Sequence, residues 1–248
     1  MNPSHPLDFI VKRLRTRAPL SEAAADALRR LPFVERVYDA PAYLIREGAL
    51  QPNVCSVIVS GFAFRQKLTV DGARQIVSLH MRGDFMDLQH MFLNRADHNV
   101  QALTRVEAIN LDRAALQKLI LEEPSIGQAL WVDVLIDSSI FREWVVNVGR
   151  RDARTRVAHL LCEFATRMKA AGIGDGRSCD LPMTQEQLGD AVGLTPVHVN
   201  RTLKALADEG IIQRNKRDVS FGDWERVRRV ADFSDLYLHL DQVQPVAR

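Results

Sequence analysis

The spacing of apolar and polar positions changes twice along the chain, and each change predicts a different kind of secondary structure. Residues 7–30 carry apolar side chains at helical spacing, which predicts helices ended by Pro32. From residue 33 to about 112, short β-branched and aromatic runs alternate with turn residues such as Asp71-Gly72. Many short strands separated by such turns predict an antiparallel β-roll or jelly roll.

A second helical pattern runs from about Ser125 to Arg150. A helix of about 25 residues is about 37 Å long, which is too long for a connector within a small domain. One face is apolar at spacings close to a heptad repeat and predicts a dimer interface, with a helix packed wholly against its own domain as the alternative. The predicted interface residues are Leu130, Val134, Ser138, Phe141, Val145 and Val148, of which Ser138 alone lacks a large apolar side chain.

The stretch Met183–Gly210 predicts two helices joined by a tight turn. Thr184 stands three residues before Gln187, which is the spacing of a capping box. Gly193 can adopt the left-handed conformation that ends a helix. Thr195 then caps a second helix, which begins with a proline at its first position.

The second helix of this pair combines a buried and an exposed face. Val199, Leu203 and Leu206 predict the buried face. An exposed face with small and amide side chains followed by cations suits the major groove of DNA. Two short strands around a basic turn then predict a wing, and one more helix follows. The candidate DNA-binding residues are Thr184, Gln185, Thr195, Pro196, Val197, His198, Asn200, Arg201, Lys204, Lys216 and Arg217.

Composition changes this picture little. A chain of 248 residues with 46% hydrophobic content is long enough for two globular domains with cores of their own. The formal net charge of +2 is too close to neutral to indicate nucleic-acid binding by itself. The cations are unevenly distributed, however. Several follow the predicted recognition helix, namely Lys216, Arg217, Arg226, Arg228 and Arg229.

Cysteine usage and hydropathy predict a cytoplasmic protein. Cys55, Cys162 and Cys179 are widely spaced and odd in number, which fits neither a disulfide framework nor a metal site. No apolar run approaches the roughly 18 residues of a membrane span. The N-terminal stretch has proline and charged residues where a signal peptide has its apolar core.

The predicted N-terminal helices, β-roll, long helix and winged helix-turn-helix follow one another as they do in the Crp/Fnr superfamily of bacterial transcription regulators, which this chain resembles. The most specific match is residues 183–212, MTQEQLGDAVGLTPVHVNRTLKALADEGII, and Gly61 and Gly83-Asp84-Phe85 match turn positions of the family's roll. The resemblance implies an α+β fold with a cyclic-nucleotide-binding-like antiparallel roll. It also implies three parts: helices and sensor roll (1–124), dimerisation helix (125–150) and winged helix-turn-helix domain (151–248).

The recognition helix departs from the family pattern at one position. The family's helix usually carries a Glu and an Arg four residues apart, and Arg201 matches the Arg, which by resemblance bonds guanine. Val197 occupies the Glu position, and it can contact a thymine methyl group but cannot accept from a cytosine amine. Asn200 can read adenine with two hydrogen bonds. The expected operator is therefore related to the family's half-site without being identical to it.

The sensor residues of the known branches are not recognisable. The cyclic-nucleotide branch has Gly-Glu and, further on, Arg-Ser or Arg-Thr, where this chain has Asp87-Leu88 and Asp97-His98-Asn99. Because an aspartate repels a phosphate, cAMP is not expected. No cysteine precedes Cys55, so an N-terminal [4Fe–4S] cluster is not expected either. His90 lies near the place of the haem branch's ligand and can approach His98, but a structural role is the favoured interpretation.

The predicted function is a sequence-specific DNA-binding transcription regulator that binds a pseudo-palindromic operator as a homodimer, with RNA polymerase as a further partner. A metal-dependent jelly-roll enzyme needs a His-x-His pair and a carboxylate, and His80, His90 and His98 lack that spacing. No enzymatic activity or metal is therefore expected. The alternative is a ligand-binding or protein-interaction module of the same fold without DNA binding. The sequence identifies no effector, and it does not indicate whether the protein activates or represses transcription.

Overall fold

The computed structural model describes residues 5–50 and 53–243, in which helices and strands follow the predicted order. The helices are α1 (Asp8–Arg15), α2 (Glu22–Arg29), α3 (Arg113–Glu122), α4 (Pro124–Arg150), α5 (Ala153–Ala170), α6 (Gln185–Val192), α7 (Pro196–Asp208) and α8 (Trp224–Val230). The strands are β1 (Phe33–Tyr38), β2 (Tyr43–Ile45), β3 (Val54–Ser60), β4 (Ala63–Leu68), β5 (Arg74–His80), β6 (Asn99–Ala102), β7 (Val106–Asp112), β8 (Ser178–Asp180), β9 (Gln213–Asn215) and β10 (Asp218–Ser220). Short 3₁₀ helices span Leu88–Met91 and Leu236–Leu238.

The described residues form two compact units. The first draws on residues 5–50, 53–63, 80–138 and 239–243, and the second comprises Phe64–Leu79 and Ser139–Leu238. Helix α4 belongs to both, because the division falls between two of its serines. The predicted part boundaries at residues 124 and 150 stay predictions, and the chain ends 1–4 and 244–248 lie outside the described residues.

The strands of the first unit confirm the predicted roll. Strand β7 lies between β1 and β3 and pairs antiparallel with both, so that Leu111 stands opposite Phe33 on one side and Cys55 on the other. Strand β2 pairs antiparallel with β6. Val57 and Ile109 face each other across this sheet and are buried in the core.

Helices α1 and α2 complete that core. Ser21 caps α2 by accepting a hydrogen bond from the backbone N–H of Ala24 at 3.0 Å, as the sequence predicts. Ile10, Leu14 and Leu28 are buried in the same cluster as residues of β3, β7 and α4. Each such side chain contributes about 1.5–3 kcal/mol when it is removed from water.

A buried ion network joins α1 to α4 within this unit. The guanidinium of Arg17 donates from Nε to Asp133 Oδ1 at 2.8 Å, and Arg13 Nη2 lies 3.2 Å from the same oxygen. Arg13 Nη2 also bonds Asp84 Oδ1 at 2.9 Å. Burial is the main influence that lowers the pKa of Arg17, and the carboxylate of Asp133 opposes it. Removal of one partner would therefore leave a buried charge uncompensated.

The second unit is organised around α5, which packs against α6, α7 and α8. Its side chains Leu160, Leu161 and Phe164 are buried. A three-stranded antiparallel sheet of order β8-β10-β9 lies in the same unit. Strands β9 and β10 form the predicted wing, whereas β8 was not predicted, because it follows a stretch rich in Gly and Asp that is typical of a loop.

None of the helices in residues 5–50 and 53–243 combines the length and apolar content that a membrane span requires.

Gly61 in the roll is required by both its backbone conformation and its surroundings. Its φ is +82°, and a Cβ at this position would lie 2.0 Å from the carbonyl oxygen of Arg105. We expect Gly61→Ala to lower the urea unfolding midpoint strongly, because the left-handed conformation alone costs about 1–2 kcal/mol and a backbone clash is added. Gly72→Ala is the matched control, since φ is +85° there and, in the part of the chain that the structure describes, no atom beyond its two chain neighbours lies within 4 Å of the added carbon. Equal losses in the two variants would contradict the role assigned to the Arg105 contact.

Candidate nucleic-acid interface

Helix α6 begins with the predicted capping box. Thr184 Oγ1 accepts from the backbone N–H of Gln187 at 3.2 Å, and Gln187 Oε1 accepts from the backbone N–H of Thr184 at 2.9 Å. Two N–H groups that no helical carbonyl can reach are thereby satisfied. The helix ends at Gly193 in the left-handed conformation, with φ of 68°.

The turn between α6 and α7 depends on a close approach at Gly189. The backbone N–H of Leu194 donates to the carbonyl of Gly189 at 3.0 Å. A Cβ on Gly189 would lie 2.4 Å from the carbonyl oxygen of Leu194. The absence of a side chain at this position is therefore what lets the chain turn back so tightly.

Helix α7 presents the predicted faces. Thr195 caps it by accepting from the backbone N–H of His198 at 3.3 Å, and Pro196 occupies its first turn. Val199, Leu203 and Leu206 are buried, as is Thr202. The predicted reading residues Val197, Asn200, Arg201 and Lys204 are exposed, and His198 is half-buried.

A side-chain contact between the two helices orients one of the predicted base readers. Gln185 Nε2, in the first turn of α6, donates to Asn200 Oδ1 on α7 at 3.0 Å. The amide oxygen keeps a second lone pair, and its NH₂ group is not used in this contact. Asn200 is thereby held in one orientation while its amide group can still make two hydrogen bonds.

The wing carries exposed cations at its tip. Lys216 and Arg217 connect β9 to β10, and Lys216 adopts a left-handed conformation with φ of 55°. Arg214 on β9 is also exposed, and its Nε donates to the carbonyl of Lys216 at 3.2 Å. The sequence reasoning did not single out Arg214, although it lies within the same basic run.

The β4–β5 hairpin contacts α6 in the second unit, which the sequence did not indicate. Arg74 Nε bonds Asp190 Oδ2 at 2.6 Å, and its Nη2 lies 3.6 Å from Glu186 Oε1. Gln75 Nε2 donates to the backbone carbonyl of Asp190 at 2.7 Å. Arg74 thus offsets two negative charges on a helix whose first turn carries predicted DNA contacts.

The predicted dimer residues of α4 fall into two environments. Leu130 is buried in the core of the first unit and Val134 packs partly against that core, while Ser138, Phe141 and Val145 are exposed and Val148 is half-buried. The exposed row continues toward the N-terminal end of α4 through Trp131 and Leu135, of which Trp131 is 62% exposed. Sequence reasoning missed these two, because helical spacing alone does not distinguish the face toward a chain's own core from a neighbouring outward face.

The positions considered for an effector are part of the packed roll. Asp87 Oδ1 accepts from the backbone N–H of Ser56 at 2.9 Å. His90 and His98 do approach each other, with ring centroids 5.7 Å apart and planes within 12° of parallel. Over the described parts of the chain, no three His, Cys, Asp or Glu side chains are grouped as a metal site would require.

The three cysteines are buried thiols. Burial raises the pKa of Cys55 well above its usual value, and it raises the pKa of Cys162 and of Cys179 to about 12. Because the thiolate is the reactive form, these thiols are poor nucleophiles near neutral pH.

Two family models match the regions described above. A model of the cyclic nucleotide-binding domain matches residues 35–123, and a model of the Crp-like helix-turn-helix domain matches residues 155–230. The second match contains α6, α7 and the wing. The first covers most of β1, strands β2–β7 and helix α3.

Known proteins with the same order of parts are similar over most of the chain. The transcriptional activator protein FnrL of Cereibacter sphaeroides is 31% identical over 90% of this chain and 91% of its own length. The nitrogen fixation regulation protein FixK of Bradyrhizobium diazoefficiens is 29% identical over 88% of this chain and 91% of its own length. The solved structure of FixK2 from Bradyrhizobium japonicum matches with a TM-score of 0.73 at 24% identity, covering 82% of this chain and 100% of that one.

The capped helix-turn-helix, the wing and the roll, together with these similarities, define a transcription regulator with a DNA-binding C-terminal domain. The chain belongs to the Crp/Fnr family, and it is a DNA-binding transcription regulator.

We expect Gly189→Ala to destabilise the helix-turn-helix although alanine is the better helix former. The propensity gain is about 1 kcal/mol, whereas separating two backbone segments in a packed region costs about 1–3 kcal/mol. Thermal unfolding followed by circular dichroism measures the difference. Gly149→Ala in α4 is the control, because no atom of the described residues outside its own helical turn lies within 4 Å of the added carbon, and it should leave stability equal or higher. A Gly189→Ala variant as stable as the control would contradict the close-approach argument.

Proposed function

We propose that this regulator binds a pseudo-palindromic operator as a homodimer, with α7 of each protomer in the major groove of one half-site. The observation that supports this most is the exposed face of α7, where Val197, Asn200 and Arg201 project from a helix whose opposite face is buried. Two such helices related by a two-fold axis would enter successive major grooves, about 34 Å apart.

Three side chains of α7 are assigned to base contacts. Arg201 would donate two hydrogen bonds to the O6 and N7 atoms of guanine. Asn200, which accepts a hydrogen bond from Gln185, would read adenine with its amide. Val197 is 80% exposed and has no polar group, so its contact would be with a thymine methyl.

Contacts with the DNA backbone are assigned to polar and cationic residues around the reading helix. Such contacts fix the position of the protein on the duplex and carry little sequence information. Arg74 supports them indirectly, because it offsets the charge of Asp190 on α6. The assigned residues are Thr184, Gln185, Thr195, His198, Lys204, Lys216 and Arg217, and Pro196, which carries no donor, would contact the DNA through its ring carbons.

Dimerisation is assigned to the exposed row of α4. Trp131, Leu135, Ser138 and Val145 follow one another at spacings of four, three and seven residues, which is a heptad pattern. Apolar side chains exposed in such a row would be buried by the same row of a second copy. The earlier candidates Phe141 and Val148 flank this row, and Leu130 and Val134 would support it from the core side.

The remaining elements of the proposal follow from DNA binding. RNA polymerase is the partner through which a regulator bound at a promoter acts. The site of action is the cytoplasm, where the DNA of a bacterial cell lies. None of the proposed contacts requires a catalytic residue, and no enzymatic activity is proposed.

Arg201→Ala and Lys204→Ala test the division between base and backbone contacts. We expect Arg201→Ala to cost about 1–3 kcal/mol on the operator and to relax specificity at one base pair. Lys204→Ala should weaken binding to operator and random DNA alike and reduce the salt slope by about 1. Titrations by mobility shift at several salt concentrations, with an operator selected from a random library, measure both. Equal losses of Arg201→Ala on operator and random DNA would overturn its assignment as a base reader.

Leu135→Asp and Val145→Asp test the dimer interface. Each places a charge in the exposed apolar row of α4, and we expect a monomer with at least tenfold weaker operator binding, about 1.4 kcal/mol. Light scattering gives the mass, and the mobility-shift titration gives the affinity. Leu121→Asp is the control, since Leu121 lies on α3 and is even more exposed. If the α4 variants stay dimeric, the dimer uses another surface.

A further inference from the structure

The last turns of α4 and the winged helix belong to one compact unit, and a buried carboxylate lies where they meet. The unit includes Ser139–Leu238, and Glu163 of α5 is 1% exposed within it. Ionised groups are seldom buried this completely unless several donors compensate the loss of water. Each donor around Glu163 therefore indicates which element the carboxylate holds.

The donors to Glu163 come from different elements. Trp144 on α4 donates from Nε1 to both carboxylate oxygens at 3.0 Å. Tyr237, in the segment after α8, donates its hydroxyl proton to Oε2 at 2.8 Å. Burial raises the pKa of Tyr237 far above its usual value, so the hydroxyl keeps the proton that it donates. Arg167, one turn along α5, lies 3.4 Å from Oε1.

A second set of contacts holds the turn between α4 and α5 itself. The side chain of Arg151 is largely buried, and its Nη2 bonds Glu143 Oε1 on α4 at 2.6 Å. Its Nε bonds Asp232 Oδ2 at 3.1 Å. Arg156 on α5 donates from Nε to the backbone carbonyl of Arg151 at 2.7 Å. The turn between α4 and α5 is therefore tied to both flanking helices.

His159 extends the network on the far side of Tyr237. Its Nε2 lies 3.1 Å from the tyrosine hydroxyl and its Nδ1 lies 3.1 Å from the carbonyl oxygen of Ala231. The two rings are stacked with centroids 5.9 Å apart. Tyr237 is thus held by packing as well as by hydrogen bonds, and it can transmit the position of the C-terminal segment to Glu163.

These contacts favour a role in orientation over a role in stability. Replacement of a complete buried ion pair by well-packed apolar side chains is often neutral for stability, so such a network adds little to it as a whole. Hydrogen bonds weaken steeply when their angle departs from the preferred geometry. A carboxylate that accepts from α4 and from the C-terminal segment at once therefore permits a narrow range of angles between α4 and α5, whereas apolar packing would permit sliding.

The angle at this junction determines where the reading helix points. Helix α5 packs against α6 and α7, so it carries the recognition helix with it. If α4 forms the dimer axis, as in the proposed function on which this step rests, the α4–α5 angle sets the separation of the two reading helices. We propose that Glu163 is the positioning residue that fixes this angle and thereby the half-site spacing that the dimer selects.

The test compares operators that differ only in the number of base pairs between half-sites. Each added pair moves a half-site by about 3.4 Å and rotates it by about 34–36°. The wild-type protein should bind one spacing best. We expect Glu163→Leu to reduce the preference for that spacing by about tenfold, since bonds to a charged group contribute more than neutral ones. Trp144→Phe and Tyr237→Phe, which each remove one donor and keep the ring, should reduce it less, and Glu163→Gln should partly restore it relative to Glu163→Leu.

Val227→Ala is the control for a purely structural effect. Val227 lies on α8, is fully buried and takes no part in the network, so its truncation should lower the unfolding temperature without changing the spacing profile. If the variants of Glu163, Trp144 and Tyr237 lose stability but keep the wild-type spacing profile, Glu163 does not set the spacing. The proposed binding of DNA as a dimer would be unaffected by that result. A wild-type protein that binds single half-sites as a monomer would overturn the proposed dimer and this inference with it.

Discussion

The burial of one face of α7 against α5 is the interaction on which the DNA-binding half depends. Val199, Leu203 and Leu206 are buried, and this fixes the rotation of the helix about its own axis. Because that rotation is fixed, the side chains of Asn200 and Arg201 lie on the opposite face of the helix and are exposed. The cap at Thr195 and the tight turn at Gly189 then fix where the helix starts. Base reading is therefore a consequence of packing, because the polar residues need only occupy the positions that the apolar ones leave.

Local chemistry made much of this half predictable. A capping box, a glycine with positive φ and a proline in the first turn act within a few residues, and all three have the predicted geometry. The dimer face is harder to predict, because α4 carries apolar residues on neighbouring faces. Leu130 belongs to the core of its own unit while Trp131, one position further, is exposed. Helical spacing identifies both side chains as apolar positions, but it does not distinguish the face that packs against the chain's own core from the face that contacts a partner. Strand β8 follows a Gly- and Asp-rich stretch that is typical of a loop, and the contact of Arg74 with Asp190 joins residues 116 positions apart.

Charge is used differently at the surface and in the interior. On the reading side, cations are left exposed and the acidic side chains of α6 are offset by Arg74. Inside, charged groups are enclosed in networks that link distant elements, as Asp133 links α1 to α4 and Glu163 links α4, α5 and the C-terminal segment. Such networks add little net stability when the cost of desolvation is counted. Their contribution is to lower the free energy of one relative orientation of the helices below that of similar orientations.

The DNA-binding residues can be predicted from the sequence, whereas an effector site in the roll cannot. The donors of a DNA interface project outward from one helix and one wing. Residues that are close together in the sequence of these elements are therefore also close together in space. A site within a roll depends on which residues separate segments bring together. His90 and His98 have rings 5.7 Å apart, and the carboxylate of Asp87, just before a 3₁₀ helix, accepts from the backbone N–H of Ser56 on β3. Those contacts depend on how the 3₁₀ helix Leu88–Met91 and the loops around it pack against the strands, and a single sequence does not show this packing. The family's sensor residues must therefore be compared position by position in the folded roll, whereas its reading helix can be compared by alignment alone.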